Sequence, residues 1–236
     1  MLNEIKNNQI LFLDIETVPA NESFDTLTPL MKKLWKKKAE HIIKSENETP
    51  ASIYRKAGIY AEFGKIICIS VGFFHKNTFR TKSFFGNDET KILTEFKTLL
   101  EKSYSAQDKY LCAHNGKEFD YPYIARRMLI NGIKIPEILN LAGKKPWEVK
   151  HLDTLELWKF GDYKHYTSLE LLTAVFNIPT PKDDIDGSMV ADIYYIENNI
   201  KRIAQYCEKD VVAVAQLFLK YKNETLIKPE NITSLT

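Results

Sequence analysis

Short apolar runs alternate along the chain with stretches whose apolar residues recur every three to four positions. The runs predict buried β-strands, and the recurring positions predict amphipathic helices. Strands are predicted at 9–13, 65–74, 79–85, 110–114 and from about 149. Helices are predicted at 89 to about 104, from 119 or 120 onward, and at about 199 to 221.

The order of these elements predicts a mixed sheet. The link at 75–78 is short, so the second and third strands should form an antiparallel hairpin. Helices and parallel strands then alternate, and a capping-box pattern, Thr167-Ser168-Leu169-Glu170, opens a mainly helical remainder. The expected fold class is therefore α/β, with a mixed five-stranded sheet and helices on both faces.

Composition is consistent with one such domain. The 236 residues, 44% of them hydrophobic, suffice for a well-packed core. No apolar run approaches the roughly 18 residues of a membrane span, and the N-terminus lacks the apolar stretch of a signal peptide. The three cysteines form neither a zinc pattern nor a disulfide framework, so a cytoplasmic location is expected. A net charge of +2 does not by itself indicate nucleic-acid binding.

Two acids follow the first predicted strand. The apolar run leads directly into Asp14, and Glu16 comes two positions later. On a strand both side chains would point to the same side, roughly 6.5 Å apart, which is close enough to share a pair of ions. Buried carboxylates are costly unless they are paired or ligate a metal. The alternative is a strand that simply ends in solvated acids, and Pro19 should end its pairing.

A third acid, Asp120, falls in the first turn of the helix that follows the strand at 110–114. A carboxylate there complements the helix dipole, so the alternative is a plain helix-start residue. Asp153 follows the last predicted strand, and we interpret it as a helix cap or a supporting residue rather than a direct ligand.

The long C-terminal helix carries a tyrosine and an acid on one face. Tyr206 and Asp210 are four residues apart, which makes them neighbours roughly 6 Å apart along the helix axis. An acid beside a buried stripe needs a partner, and a metal ion would serve. The alternative is a Tyr and an Asp on a partly wet face. The stripe itself consists of Ile203, Val211, Val214, Leu217, Phe218 and Tyr221.

Together these motifs resemble those of the DEDD superfamily of 3′–5′ exonucleases, in its tyrosine-bearing branch (DEDDy). The pattern Asp-x-Glu matches Asp14-Ile15-Glu16, Asn-x-x-x-Phe-Asp matches Asn115 to Asp120, and Tyr-x-x-x-Asp matches Tyr206 to Asp210. The histidine-bearing branch would have His where this chain has Gln205, so it is disfavoured. The chain looks most like the proofreading exonuclease domain of family-B DNA polymerases, here free-standing.

The resemblance extends from Ile10 to about Tyr221. It implies a ribonuclease H-like fold and a single exonuclease domain, 1–236. The correspondence is weakest at about 22–60, where we expect a helical insertion.

The resemblance also implies phosphodiester hydrolysis with two hard cations, Mg²⁺ or Mn²⁺, which prefer oxygen ligands. Asp14, Glu16 and Asp210 would hold the first ion, and Asp14 would bridge to the second. Asp120 would hold the second ion directly or through water, and Tyr206 would orient the attacking water. Without metal, the crowded acids should raise one another's pKa and weaken the protein near the site.

The implied substrate is a single-stranded 3′ end, DNA more than RNA, from which nucleoside 5′-monophosphates are released one at a time. Thr17, Asn115 and Phe119 are expected to contact it. DNA polymerase or repair factors are the protein partners that the resemblance implies. Unpaired bases would stack on aromatic residues that flank the motifs, namely Phe119, Tyr121, Tyr123, Trp158 and Tyr163.

Other functions fit the same residues. One is a 3′–5′ exoribonuclease that trims RNA, and another is a small-nucleotide phosphatase. A third is a non-catalytic nucleic-acid-binding module on the same fold, for which the loss of an acid would be expected, and none is lost here.

Two further stretches are strongly charged. The basic stretch from Met31 to Lys38 predicts either an arm that grips a phosphate backbone or the solvated face of a helix anchored by Leu30, Leu34 and Trp35. The acidic stretch at 183–188 lacks the ligand spacing of a calcium loop, and we interpret it as a polar loop near the cleft.

Overall fold

The computed structural model describes residues 2–162, 166–179 and 185–236. Within these residues, six strands form one mixed sheet in the order β5-β4-β1-β2-β3-β6. The pairs β1–β2 and β2–β3 are antiparallel, and the other three pairs are parallel. The strands are β1 (Ile10–Pro19), β2 (Gly64–His75), β3 (Thr78–Phe85), β4 (Tyr110–Ala113), β5 (Leu152–Asp153) and β6 (Ile232–Ser234).

Helices cover both faces of this sheet. In β1, Leu11, Leu13 and Ile15 pack on the side of the second and third helices of the chain, whereas Ile10 and Phe12 pack against the last helix. This alternation is the period of two expected of a strand buried on both faces. The helices are α1 (Pro29–Ala39), α2 (Glu89–Ser103), α3 (Asp120–Ile130), α4 (Thr154–Lys159), α5 (Leu169–Val175), α6 (Val190–Tyr195) and α7 (Ile200–Tyr221).

The predicted α/β class is confirmed, but the predicted count of five strands was wrong. The additional strand, β6, has three residues and pairs in parallel with β3, where Ile232 lies opposite Phe79. A strand this short carries too few positions for an apolar period to show.

Two predicted boundaries were also wrong. β1 does not end before Asp14 but continues through Glu16 to Pro19, where pairing stops as expected. The helix predicted from the capping box begins one residue later than expected, because Ser168 is the N-cap residue and accepts the Leu171 N–H at 3.2 Å.

The segment at 22–60 contains α1 and two short 3₁₀ turns, Phe24–Thr26 and Tyr54–Ile59. The predicted anchors of α1 were partly wrong, because Leu30 and Leu34 are 64% and 44% exposed while Trp35 is fully buried. That the segment is an insertion stays a prediction. Its small core consists of Leu27, Trp35, Ala39, Ile53, Tyr54 and Ala57.

No helix in the described ranges is both long and apolar enough to cross a membrane. The three cysteines, Cys68, Cys112 and Cys207, are all buried with free thiols.

Candidate metal centre

The alternation of β1 places two acids on the face that α7 covers. Asp14 and Glu16 continue the series of Ile10 and Phe12, so their side chains follow those residues toward α7. Asp14 lies opposite Ser70 in β2, and a register shift interrupts the pairing directly after Glu16. Glu16 is 8% exposed, which makes it a buried carboxylate in the middle of the sheet.

Helix α7 brings three more polar groups to the same place. Its apolar stripe includes Cys207, and the Cys207 thiol donates to Asp14 Oδ2 at 3.2 Å and to the Asp14 carbonyl oxygen at 3.4 Å. On the neighbouring positions, the Tyr206 hydroxyl donates to the Asp210 carboxylate, as the four-residue spacing predicted. Of the predicted stripe residues, Tyr221 is half-buried, and the other five are buried, namely Ile203, Val211, Val214, Leu217 and Phe218.

The fourth acid comes from the start of α3. Asp120 is 3% exposed, and its carboxylate accepts the backbone N–H of Ile15, the residue between the two acids of β1. This bond places the carboxylate at the start of α3 directly beside β1.

Asp153 supports that loop. Its side chain caps α4 by accepting the Leu155 N–H at 2.9 Å, as predicted. It also accepts the backbone N–H groups of Asn115 at 2.9 Å and Lys117 at 3.0 Å. These bonds fix the turn that precedes Asp120, in which Asn115 has a left-handed φ of 62°.

The acids perturb one another strongly. Burial, and then the negative charges of Asp210 and Asp120, raise the pKa of Asp14 well above its ordinary value. Burial and the charges of Asp14 and Asp210 do the same to the pKa of Glu16. Burial, with the charge of Asp153, raises the pKa of Asp120 to about 7. The structure therefore gathers Asp14, Glu16, Asp120 and Asp210 within electrostatic reach of one another.

This arrangement can hold a cation. Asp14, Glu16 and Cys207 each offer one ligand atom, and these atoms lie within 4.8 Å of one another. Buried carboxylates that raise each other's pKa are stabilised when a divalent cation replaces the missing positive charge. The four acids offer carboxylate oxygens, which are the ligands that hard cations prefer.

Comparison with known proteins agrees with the geometry. A family model described as a predicted 3′–5′ exonuclease related to the exonuclease domain of PolB matches residues 59–228. The chain belongs to this family. The PolB-related match includes Asp120, Tyr206 and Asp210 but begins beyond Asp14 and Glu16, which the structure alone joins to them.

A solved structure shows the same fold. The family B DNA polymerase from the hyperthermophilic archaeon Pyrobaculum calidifontis superposes with a TM-score of 0.53 at 14% sequence identity. The alignment covers 90% of this chain and 24% of the polymerase, so the chain spans about a quarter of the polymerase's length. At this identity the likeness concerns the fold alone, and it confirms the expected ribonuclease H-like architecture.

The three expected substrate contacts lie around the acids of this PolB-related domain. Thr17 directly follows the register shift in β1, and its hydroxyl bonds to that of Tyr123. Asn115 and Phe119 lie in the turn before Asp120, and both are half-buried, with the Phe119 ring 5.3 Å from that of Tyr123. Their contact with substrate stays a prediction.

Two of the predicted stacking aromatics were wrong. Tyr121 and Tyr123 are 0% and 1% exposed, and their hydroxyls donate to the carbonyl oxygens of Leu152 and Gly58. Helical spacing after Asp120 directs both rings into the core. Trp158 stacks against another ring of the protein, that of Tyr221, with centroids 6.3 Å apart.

Sequence reasoning missed two residues at this site. Cys207 had a signal, because it lies four residues before Val211 on the buried stripe and must therefore face β1. Tyr166 had none. It is 67% exposed, packs edge-on against His114, and lies within reach of the negative charges of Asp120 and Asp153.

Tyr163 and the acids Asp183 and Asp184 lie outside the described residues. In the same predicted loop, Asp186 is exposed and accepts the Ser188 N–H at 2.7 Å, as in a polar turn.

Proposed function

We propose that this chain is a metal-dependent 3′–5′ exonuclease of the tyrosine-bearing type. It would release nucleoside 5′-monophosphates from single-stranded 3′ ends, and DNA is the expected substrate because the structural neighbour is a DNA polymerase. The observation that carries the proposal is the convergence of four acids and Tyr206 from β1, α3 and α7.

The acids fit two hard cations, Mg²⁺ or Mn²⁺. Asp14, Glu16 and Asp210 would hold one ion, while Asp120, with Asp14 as the bridging residue, would hold the other. When bound, such a pair stabilises the attacking and leaving oxygens of a phosphodiester and lowers the pKa of the attacking water.

The protonation state of Tyr206 decides whether its hydroxyl can act as a base. Burial, and then the charges of Asp210 and Glu16, raise the pKa of its hydroxyl. The hydroxyl therefore keeps its proton at neutral pH, so it orients water as a hydrogen-bonding group and does not act as a base. Its bond to Asp210 fixes its direction.

Cys207 acts through Asp14. The thiol donates to the carboxylate and to the carbonyl oxygen of that residue, and thus fixes the side chain that would bridge the two ions. Hydrogen bonds of this kind orient ligating carboxylates and increase metal affinity.

A cleavage assay with 5′-labelled single-stranded DNA and RNA of matched sequence tests the proposal. We expect a ladder that shortens from the 3′ end in Mg²⁺ or Mn²⁺ and no cleavage in a chelator. Asp14→Asn and Asp210→Asn should each abolish the metal-dependent cleavage. Glu118→Gln is the matched control, because Glu118 is exposed and lies two residues before Asp120.

Other results of this assay would indicate a different function. A ladder that forms with RNA but not with DNA would identify an exoribonuclease. Release of inorganic phosphate from nucleotides would identify a phosphatase. Tight strand binding with no product under any metal condition would identify a binding module. Full cleavage by Asp14→Asn would remove the assignment of the metal site.

A further inference from the structure

The exposed surface of α1 carries an uncompensated positive charge. Lys33, Lys36 and Lys37 are exposed and Lys32 is half-buried. These four side chains, here called the lysine face, line a shallow depression together with Pro29 and Glu40. In the part of the chain that the structure describes, none of the four lysines forms an ion pair.

The helix that carries this surface is held rigidly. Trp35, on the opposite side of α1, is fully buried and donates its indole N–H to the Pro50 carbonyl oxygen at 2.7 Å. Its ring packs edge-on against Tyr54 at 5.5 Å and Phe63 at 5.3 Å. Thr28 caps the helix by accepting the Met31 N–H. Because the helix is fixed in this way, a ligand of these lysines has to order their side chains but not their backbone.

The segment is joined to the strand that carries the acids. The turn Tyr54–Ile59 lies on the last part of β1, so closely that a Cβ added to Gly58 would meet the Val18 carbonyl carbon at 3.0 Å. Val18 is two residues beyond Glu16, or roughly 7 Å along a strand. α1 packs on this turn in its own right, because the Trp35 ring lies edge-on against that of Tyr54.

We propose that the lysine face binds the phosphate backbone of the substrate strand, upstream of the 3′ end that the acids receive. The inference rests on the proposed function for its choice of nucleic acid as partner. A row of ammonium groups without ion-pair partners fits a polyanion, since phosphates release counterions when lysines approach them. Because the lysine face is separate from the acid cluster, only a strand that extends well beyond its 3′ end can reach both.

This predicts a dependence on strand length and on salt. The test measures binding of fluorescein-labelled oligothymidylates of about 15 and about 3 nucleotides by anisotropy, in a chelator so that no strand is cleaved. The variant Lys33→Gln, Lys36→Gln, Lys37→Gln should lower the slope of log Kd against log salt by about 2 for the longer strand, at about 0.7 per lost phosphate contact. Over a fourfold range of salt, the wild type would lose about 16-fold more affinity than the variant. The 3-nucleotide strand should bind both proteins alike.

A control of equal charge separates this effect from net charge. The variant Lys82→Gln, Lys91→Gln, Lys102→Gln removes three exposed lysines from β3 and α2 and should leave the slope unchanged. Equal slopes for the α1 variant and the wild type would overturn the proposal, and so would equal effects on long and short strands. Unchanged far-UV circular dichroism verifies that the α1 variant is folded.

The salt-dependence test and the cleavage assay can fail independently of each other. A protein that cleaves nothing but shows the lysine-dependent slope supports this inference and removes the proposed function. If the protein cleaves strands but the α1 variant has the same slope of log Kd against log salt as the wild type, the proposed function is supported and this inference is refuted. An acidic protein surface would then be the partner to test for α1.

Discussion

Removal of one buried charge should stabilise the metal-free protein at neutral pH. The Asp120 carboxyl is 3% exposed, and burial, with the charge of Asp153, raises its pKa from 3.8 to about 7. The substitution Asp120→Asn removes the charge and keeps an oxygen that can accept the Ile15 N–H. Its benefit should therefore appear only where the wild-type carboxyl is ionised.

The magnitude follows from linkage. The folded state holds the Asp120 proton more tightly than the unfolded state, whose pKa is about 3.9. The resulting contribution to stability is fully present below pH 4 and is lost as the pH rises through 7. Between pH 5 and pH 8 the loss amounts to about 3 kcal/mol. The raised pKa values of Asp14 and Glu16 change stability in the same direction.

Urea unfolding in a chelator measures the effect. The free energy of unfolding of Asp120→Asn relative to the wild type should increase by about 3 kcal/mol from pH 5 to pH 8. Glu118→Gln, at an exposed position in the same turn, should differ from the wild type by less than about 0.5 kcal/mol at both pH values. If Asp120→Asn is no more stable than the wild type at pH 8, the account of a strained acid cluster is wrong.

Three other substitutions test neighbouring contacts. Cys207→Ala removes the donor to Asp14 and should weaken Mn²⁺ binding about 10- to 100-fold in calorimetry, whereas Cys207→Ser keeps a donor and should weaken it far less. Tyr206→Phe should lower kcat about 100-fold at saturating Mn²⁺, because the group that positions water is lost. Arg127→Met leaves Glu89 buried without its partner at 2.5 Å, and should lower the free energy of unfolding in urea by about 3–5 kcal/mol.

Each of these has a contradicting result. Equal losses of Mn²⁺ affinity in Cys207→Ala and Cys207→Ser would assign the thiol a packing role. An unchanged kcat for Tyr206→Phe at saturating Mn²⁺ would show that this hydroxyl does not position water. Lys97→Ala breaks an exposed pair with Glu101 and should cost less than about 1 kcal/mol, so an equal cost for Arg127→Met would show that burial adds nothing there.

The sequence predicted the sheet and the order of its helices because their apolar periods are regular. It ended β1 too early, since Asp14 and Glu16 interrupt the apolar run although they lie within the strand. A pattern of apolar and polar positions counts every acid as polar. Only the structure shows that these two acids are enclosed.

The site was predictable as a set of residue types but not as a geometry. The spacing of Tyr206 and Asp210 fixes their contact within one helix. The bond from Ile15 to Asp120 joins residues more than 100 positions apart, and no local pattern encodes it. The same holds for Tyr166, which lies within reach of the charges of Asp120 and Asp153 although it lies outside the helix and the strand that carry them.

Anomalous diffraction from a crystal of the protein grown with Mn²⁺ tests most directly whether the gathered acids bind metal. We expect two peaks about 3.5–4 Å apart, bordered by the carboxylates of Asp14, Glu16, Asp120 and Asp210. Strong Mn²⁺ peaks elsewhere on the protein with none between β1 and α7 would contradict the two-cation site and the nuclease function that depends on it.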